Sequence, residues 1–297
     1  YMLDDIENDL KQGYRVAVLC RTNYDGIIPA FTMEAGKRFD FSISSESMTM
    51  NSPLCRKLIN VTSLFIEKST PAVKDTLTMI AGRGNAYELN HFIQVLKQNS
   101  KSIWDIPRED LSYSCRSLVS FVDDVKKIYM PDGVRVRENE VKALDFVYKY
   151  LIAKVFNGDS NYSTNAREYI STLLFVLESG NFETVYEFIE ELDIINHRLD
   201  GRIGKKGANV TVSTVHEFKG KECDSVYVWN DIDGVFPSSK CDVSDEDQLD
   251  EERRVHYIAC TRAKEKSSIY TLSGQTGLFV REMDVKLTNP VTLSKTL

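Results

Sequence analysis

The sequence predicts an α/β protein whose parallel sheet is interrupted by an all-helical block, and three observations carry that expectation. Short apolar runs rich in β-formers stand near both ends: Arg15-Val16-Ala17-Val18-Leu19-Cys20, Val210-Thr211-Val212-Ser213-Thr214-Val215 and Ser225-Val226-Tyr227-Val228-Trp229. Runs that are apolar on both faces suit strands buried in a parallel sheet. From about Thr78 to Asn196 strand signals nearly disappear and helical spacing takes over.

Taken in order, the first run is followed by Ile27, Ile28, Phe31 and Ala35 at helical spacing, with Gly36 as the stop. Phe39-Asp40-Phe41-Ser42-Ile43 alternates as a strand does. Ser52-Pro53 then supplies an N-cap and a first-turn proline for a helix carrying Leu54, Leu58, Val61, Leu64 and Phe65. Within the helical block, Val141, Leu144, Val147, Tyr148, Leu151 and Val155 mark one helix; Tyr169, Ile170, Leu173, Leu174 and Leu177 mark the next, ended by Gly180. After Gly201, Gly204 and Gly207 the strand pattern resumes, and Ser268-Ile269-Tyr270-Thr271-Leu272 reads as its last strand. The expected boundaries divide the chain into 1–77, 78–205 and 206–297.

The 297 residues, 42% apolar and 27% charged, are enough for two domains with a core each. No apolar run approaches the roughly 20 residues that cross a bilayer, and the first residues lack the basic-then-apolar order of a signal peptide. A cytoplasmic protein without a membrane partner is the expectation. Cys20, Cys55, Cys115, Cys223, Cys241 and Cys260 are scattered with no CxxC pattern, so reduced thiols and no metal site are expected. The net charge of −7 is matched by seven acids and no base between Asp242 and Glu252. Local charge matters more than the total for a polyanion. Arg198, Arg202, Lys205 and Lys206 form one basic segment, which reads equally as a solvated loop; Lys219 and Lys221 form another.

Arg21-Thr22-Asn23 follows the first strand, at the strand end where open parallel sheets bind ligands. Arg262 closes a helix beginning Asp250-Glu251-Glu252-Arg253-Arg254, with Val255, Ile258 and Ala259 as its apolar stripe. A guanidinium fixed in this way suits the oxygens of a nucleotide phosphate, although a helix-end cation paired with the dipole is the plainer reading of Arg262 alone. Thr214, His216, Lys219, Gly220 and Glu222 lie at and after the end of a strand. Thr214 and His216 can donate to phosphate oxygens without reading bases, glycine lets a backbone approach closely, and Glu222 suits a sugar hydroxyl rather than a phosphate. Gly234-Val235-Phe236-Pro237 is by itself a turn, and the acidic run ahead of the Arg262 helix is expected to cap it. Gly201-Arg202-Ile203-Gly204-Lys205-Lys206 has the wrong glycine spacing for a phosphate loop and no Ser or Thr after its lysine. No apolar strand ends in an Asp-Glu pair, so an obvious magnesium carboxylate is also missing.

Together these motifs resemble the C-terminal half of the UvrD, PcrA and Rep family of superfamily 1 DNA helicases. Val18 to Asn23 is similar to that family's motif IV, Thr214 to Glu222 to motif V with its T-x-H-x-x-K-G-x-E pattern, Gly234 to Pro237 to its G-[IVM]-F-P, and Glu251 to Ala263 to motif VI. Ala81-Gly82-Arg83-Gly84 resembles the opening of the helical accessory domain inserted between motifs IV and V. The resemblance implies a second RecA-like domain of the P-loop NTPase superfamily, without the P-loop, in an ATP-driven 3′→5′ translocase. It implies that Arg21 and Arg262 reach the γ-phosphate across a cleft from one shared face, and that Glu222 and Gly220 serve the nucleotide. Thr214, His216 and Lys219 would grip single-stranded DNA, and Arg83 and Gly84 a duplex at a junction. ATP with Mg²⁺ would be held mainly by an N-terminal RecA-like domain, expected to precede Tyr1. Where relatives carry an aromatic residue before the motif IV arginine, this chain has Cys20. Two other readings share these motifs: a degenerate helicase half that only binds, and the helicase part of a RecB- or AddA-like helicase-nuclease.

Overall fold

The computed structural model describes residues 2–66, 71–82, 86–99, 102–111, 116–158, 161–271 and 276–283. Its elements are α1 (Met2–Lys11), β1 (Val16–Cys20), α2 (Ile27–Gly36), β2 (Phe41–Ile43), α3 (Pro53–Ile59), α4 (Ser63–Ile66), α5 (Pro71–Ala81) and α6 (Ala86–Asn99). They continue with α7 (Arg116–Tyr129), α8 (Glu140–Tyr150), α9 (Asn161–Ser179), α10 (Val185–Asp200), β3 (Val210–Thr214), β4 (Cys223–Val228), α11 (Glu246–Cys260), β5 (Ala263–Ile269) and α12 (Leu278–Glu282). No helix among the described residues is long and apolar enough to cross a membrane.

Two compact units emerge: Tyr1–Thr49 with Ile195–Leu297, and Met50–Ile194. The division falls at 49/50 and 194/195 rather than at the expected 77/78 and 205/206. Its physical cause is packing, because α3 touches α9 and α5 touches α7. The apolar helices after Ser52 therefore serve the helical unit.

The first unit is an α/β layer around a parallel sheet ordered β2-β3-β1-β4-β5. Register runs Leu19 opposite both Ser213 and Val228, and Cys223 opposite Ala263. Alternation along a strand sends neighbours to opposite faces. Ala17, Leu19, Val226 and Val228 accordingly build one core with Val255 and Ala259 of α11, Phe218, Phe236 and Phe279. On the other side, Ser225 and Tyr227 donate to buried Asp9 of α1 at 2.6 and 2.5 Å.

The α/β class expected from sequence is the one observed, with two local differences. The last strand begins at Ala263, five residues before the expected Ser268, because as the sheet edge it tolerates the exposed Lys264 and Glu265. The left-handed residue closing α2 is Lys37, at φ +47°, while Gly36 remains helical. Ser52 caps α3 as expected, its Oγ accepting the Cys55 N–H at 3.1 Å. Asp245, inside the acidic run, caps α11 by accepting from the Asp247 and Gln248 N–H groups.

The second unit packs its helices around aromatic groups. Trp104 is fully buried, its ring 5.4 Å from Phe65 and 5.9 Å from Tyr129, and its indole N–H reaches the Leu64 carbonyl at 2.7 Å. Tyr148 of α8 donates to the Leu58 carbonyl at 3.2 Å. The helix marked from Val141 to Val155 ends as a π-turn over Leu151–Val155.

Candidate functional site

Side-chain alternation decides where Arg21 goes. Ala17 and Leu19 face α11, so the residue two positions beyond Leu19 faces it too. Arg21 Nε donates to Glu252 Oε2 at 3.0 Å and Nη2 donates to Oε1, a bidentate pair with side chains only 18% and 10% exposed. The Ser238 N–H adds a third bond to Oε2 at 3.0 Å. The hydrogen bond to Glu252 raises the Arg21 pKa further above its ordinary value. Burial would raise that of Glu252, but Arg21 and the Ser238 N–H outweigh it and hold the carboxyl below the usual range. The loop after Arg21 is fixed from within, since Asp25 Oδ2 accepts from both the N–H and the hydroxyl of Thr22 at 2.8 Å.

The loop after β3 begins at the same strand end, where the Val215 N–H bonds the Cys20 carbonyl at 3.0 Å. Thr214 is buried and its Oγ1 accepts the Glu217 N–H at 3.2 Å, so its hydroxyl already closes the turn that presents the next residues. Phe218 anchors this turn in the core. His216, Lys219, Gly220 and Glu222 are exposed. Gly220 has φ +82°, a conformation that by itself calls for glycine.

Arg262 stands elsewhere. Its carbonyl accepts the Cys223 N–H at 3.0 Å, so it lies beside Glu222 at the start of β4 and β5. Its Nε donates to the Ile258 carbonyl at 3.2 Å, which binds the side chain to the last turn of α11. Among the described residues its guanidinium has no carboxylate partner. The structure thus groups Arg262 with Glu222 at the strand starts, and Arg21 with Thr214 and His216 at the strand ends. The two arginines do not share one end of the sheet, contrary to the expectation from sequence; α11 links them, its Glu252 standing eight residues, about 12 Å of helix, before the helix ends at Cys260, two residues short of Arg262. Arg83 and Gly84 lie outside the described residues.

Two of the four cations in the basic segment before β3, Arg202 and Lys205, are paired internally. Arg202 is bound to Glu34 at 2.9 Å and to Asp40, and stacks over Phe41 at 4.8 Å; Lys205 reaches Asp40 at 2.6 Å. Two partnerships escaped the sequence. Glu252 pairs with Arg21, and His256 is buried against Asp231, Nε2 to Oδ2 at 2.5 Å. The signal lay in the helix period, because Glu252, Val255, His256 and Ala259 share the spacing of one buried face.

The sequence is similar to known proteins. A family model described as the UvrD-like helicase C-terminal domain matches residues 86–273, a span that includes Thr214 to Glu222, the turn at 234–237 and Arg262. A probable DNA helicase II homolog of Rickettsia conorii is 39% identical over 88 residues, 29% of this chain and 13% of that protein. The ATP-dependent DNA helicase Rep of Buchnera aphidicola subsp. Acyrthosiphon pisum is 22% identical over 313 residues, covering 90% of this chain and 48% of that protein. The ATP-dependent DNA helicase PcrA of Bacillus subtilis is 28% identical over 123 residues, 38% of this chain and 16% of that protein. The chain spans about half the length of Rep and the match covers less of the other two. With the family model covering well over half of its residues, the chain belongs to the UvrD-like helicase C-terminal domain family.

Proposed function

We propose that this chain forms the C-terminal half of an ATP-dependent 3′→5′ DNA helicase and single-strand translocase, with the α/β unit of residues 1–49 and 195–297 as a RecA-like domain and the helical unit of residues 50–194 as its inserted accessory domain. The observation that carries the reading is the Cys223 N–H to Arg262 carbonyl bond, which seats an arginine without a carboxylate partner among the described residues next to Glu222. That donor set fits the far side of a nucleotide: a planar cation for phosphate oxygens and a carboxylate for ribose hydroxyls. It does not fit the primary embrace of a triphosphate, which needs a glycine-rich cradle and a magnesium ligand. ATP and Mg²⁺ would therefore be held mainly by an N-terminal RecA-like domain, across a cleft.

In this reading bound ATP supplies the phosphoanhydride, and the protein's part is electrostatic. Arg262 neutralises charge that builds on the departing phosphoryl oxygens, Arg21 meets a nucleotide phosphate oxygen from the other end of α11, Glu222 and the open backbone at Gly220 fit the sugar, and α11 couples the two arginines mechanically. Thr214, His216 and Lys219 hold the phosphates of single-stranded DNA, while Arg83 and Gly84 meet the duplex at a junction. Contacts to phosphate rather than to base edges let the strand slide in any sequence.

The test is ATP hydrolysis by the complete protein with and without single-stranded DNA. Arg262→Ala is expected to lower kcat by roughly 10³-fold or more, the range over which arginine fingers act. Single-strand affinity should survive the change. Turnover equal to that of the unaltered protein would refute the role of Arg262. The isolated chain is expected to show no DNA-stimulated hydrolysis, and steady turnover by it would refute the division of labour between two halves.

A further inference from the structure

We infer that Glu252, locked by the turn at Gly234–Ser238, is a positioning residue for Arg21; the inference rests on the proposed phosphate-sensing role of that arginine. A guanidinium has two donor edges. Glu252 accepts from Nε and Nη2, the side-on edge, and leaves the end-on edge with Nη1 without a partner among the described residues. An arginine docked in this way is not used up, because its remaining fork can still meet an anion in a fixed plane. Docking is needed here. A long side chain at the end of β1 loses considerable rotamer freedom when it is held, and a partner that holds it beforehand removes that cost from the reacting state.

The carboxylate is itself held. Ser238 donates its backbone N–H to Oε2 at 3.0 Å, and the turn that delivers it is closed by the Ser239 N–H to the Gly234 carbonyl at 2.8 Å. Gly234 takes φ +91°, and Phe236 is wholly buried in the core that α11 shares. The G-V-F-P segment, which looks like a plain turn in the sequence, thereby aims one amide at Glu252. A chain of contacts runs from the core through Phe236, Ser238 and Glu252 to the guanidinium. The neighbours Arg253 and Arg254 pair instead with Asp250, Glu282 and Glu251 in solvent, so the inward carboxylate is matched to Arg21 alone.

The experiment is a double-mutant cycle on ATP hydrolysis by the complete protein, using Arg21→Ala, Glu252→Gln and the pair. Glu252→Gln keeps the shape but sets an amide NH₂ against a guanidinium N–H, so Arg21 is misaimed. The expected result is a fall in kcat of about 10²-fold, the cost of misplacing a catalytic group by an ångström, with KM for ATP and single-strand affinity little changed. In the pair, Glu252→Gln should add nothing to Arg21→Ala. Full turnover in Glu252→Gln, or losses that multiply in the pair, would overturn the positioning role. Full turnover in Arg21→Ala would instead overturn the reading of Arg21 itself, which keeps the two failures apart. Thermal unfolding of each variant accompanies the kinetics. Should Glu252→Gln not fold, Glu252→Asp enters the same cycle: it keeps the charge, shortens the reach, and is held to the same non-additivity.

Discussion

His256 Nε2 and Asp231 Oδ2 lie 2.5 Å apart inside the α/β unit, with side chains 5% and 0% exposed. The pair joins α11 to the loop after β4, and the rings of Phe236 and Phe279 flank the imidazole at 5.5 and 5.3 Å. Burial alone would lower the His256 pKa. Asp231 and, from the next turn, Cys260 together outweigh that and raise it to about 9. A raised folded-state value contributes stability that is complete below the ordinary 6.5 and is lost as pH climbs through about 9. We therefore predict that the unfolding free energy of the protein falls between pH 6.5 and 9 by an amount on the order of 2–3 kcal/mol. In His256→Gln this slope should vanish. An equal slope in both proteins would show that the pair does not titrate with folding.

Gly277 offers a second test of the same corner. Its φ of −62° is ordinary, so backbone freedom does not explain the glycine. Space does. A Cβ built there would collide with Asp231 Oδ1 and come within 3.0 Å of the Phe236 carbonyl and 3.1 Å of the Asp231 carbonyl. Two of the three neighbours are backbone and cannot swing away. Gly277→Ala should cost roughly 1–3 kcal/mol, as overpacking does, read as a lowered urea midpoint. Stability unchanged from the parent would mean that the loop after β4 yields at little cost.

On the opposite face of the sheet, Asp9 accepts from Ser225 at 2.6 Å, Tyr227 at 2.5 Å and Lys266 at 2.9 Å while only 1% exposed. Burial would raise its pKa, but the three donors outweigh it and hold it below the ordinary 3.8. The sign is opposite to that of His256: the contribution is full above pH 3.8 and disappears as acid takes the pH through the depressed value. Asp9→Asn is expected to lose roughly 2–3 kcal/mol at neutral pH, the worth of hydrogen bonds to a charged group. The difference from the parent should shrink on acidification. A gap that stays constant from pH 7 to pH 3 would assign the loss to packing rather than to charge.

The buried strands were legible in the sequence because a parallel strand covered on both faces is an apolar run, as in Val16 to Cys20 and Val210 to Thr214. The start of β5 was not, since Ala263-Lys264-Glu265-Lys266 is an edge segment whose pairing leaves no hydrophobic trace. Arg21, Arg262 and the turn after Thr214 could be found from their positions at element ends. Their grouping could not. Which end of a strand a residue joins depends on the crossover from Val215 to Glu222, and register is a property of the sheet. Glu252 was hidden for another reason: Asp250-Glu251-Glu252-Arg253-Arg254 reads as a solvated helix face, and only the helix period separates the one inward carboxylate from its exposed neighbours.

Lys219 tests the nucleic-acid side of the proposal without touching the core. It is exposed on a turn held by the Thr214 Oγ1 to Glu217 N–H bond and by buried Phe218, so its backbone position survives loss of the side chain. Lys221 is engaged over the Phe218 ring at 5.9 Å, whereas Lys219 has no such contact among the described residues. If its ammonium neutralises one phosphate, each molecule of single-stranded DNA bound releases about 0.7 of a counterion through it. Lys219→Ala in the complete protein should then weaken binding alike on all sequences and reduce the slope of log K against log salt by about 0.7. Fluorescence anisotropy with oligothymidine and a mixed-sequence strand at several salt concentrations reads both quantities. A slope equal to that of the parent protein would remove Lys219 from the DNA path, and a loss confined to one sequence would replace phosphate contact with base reading.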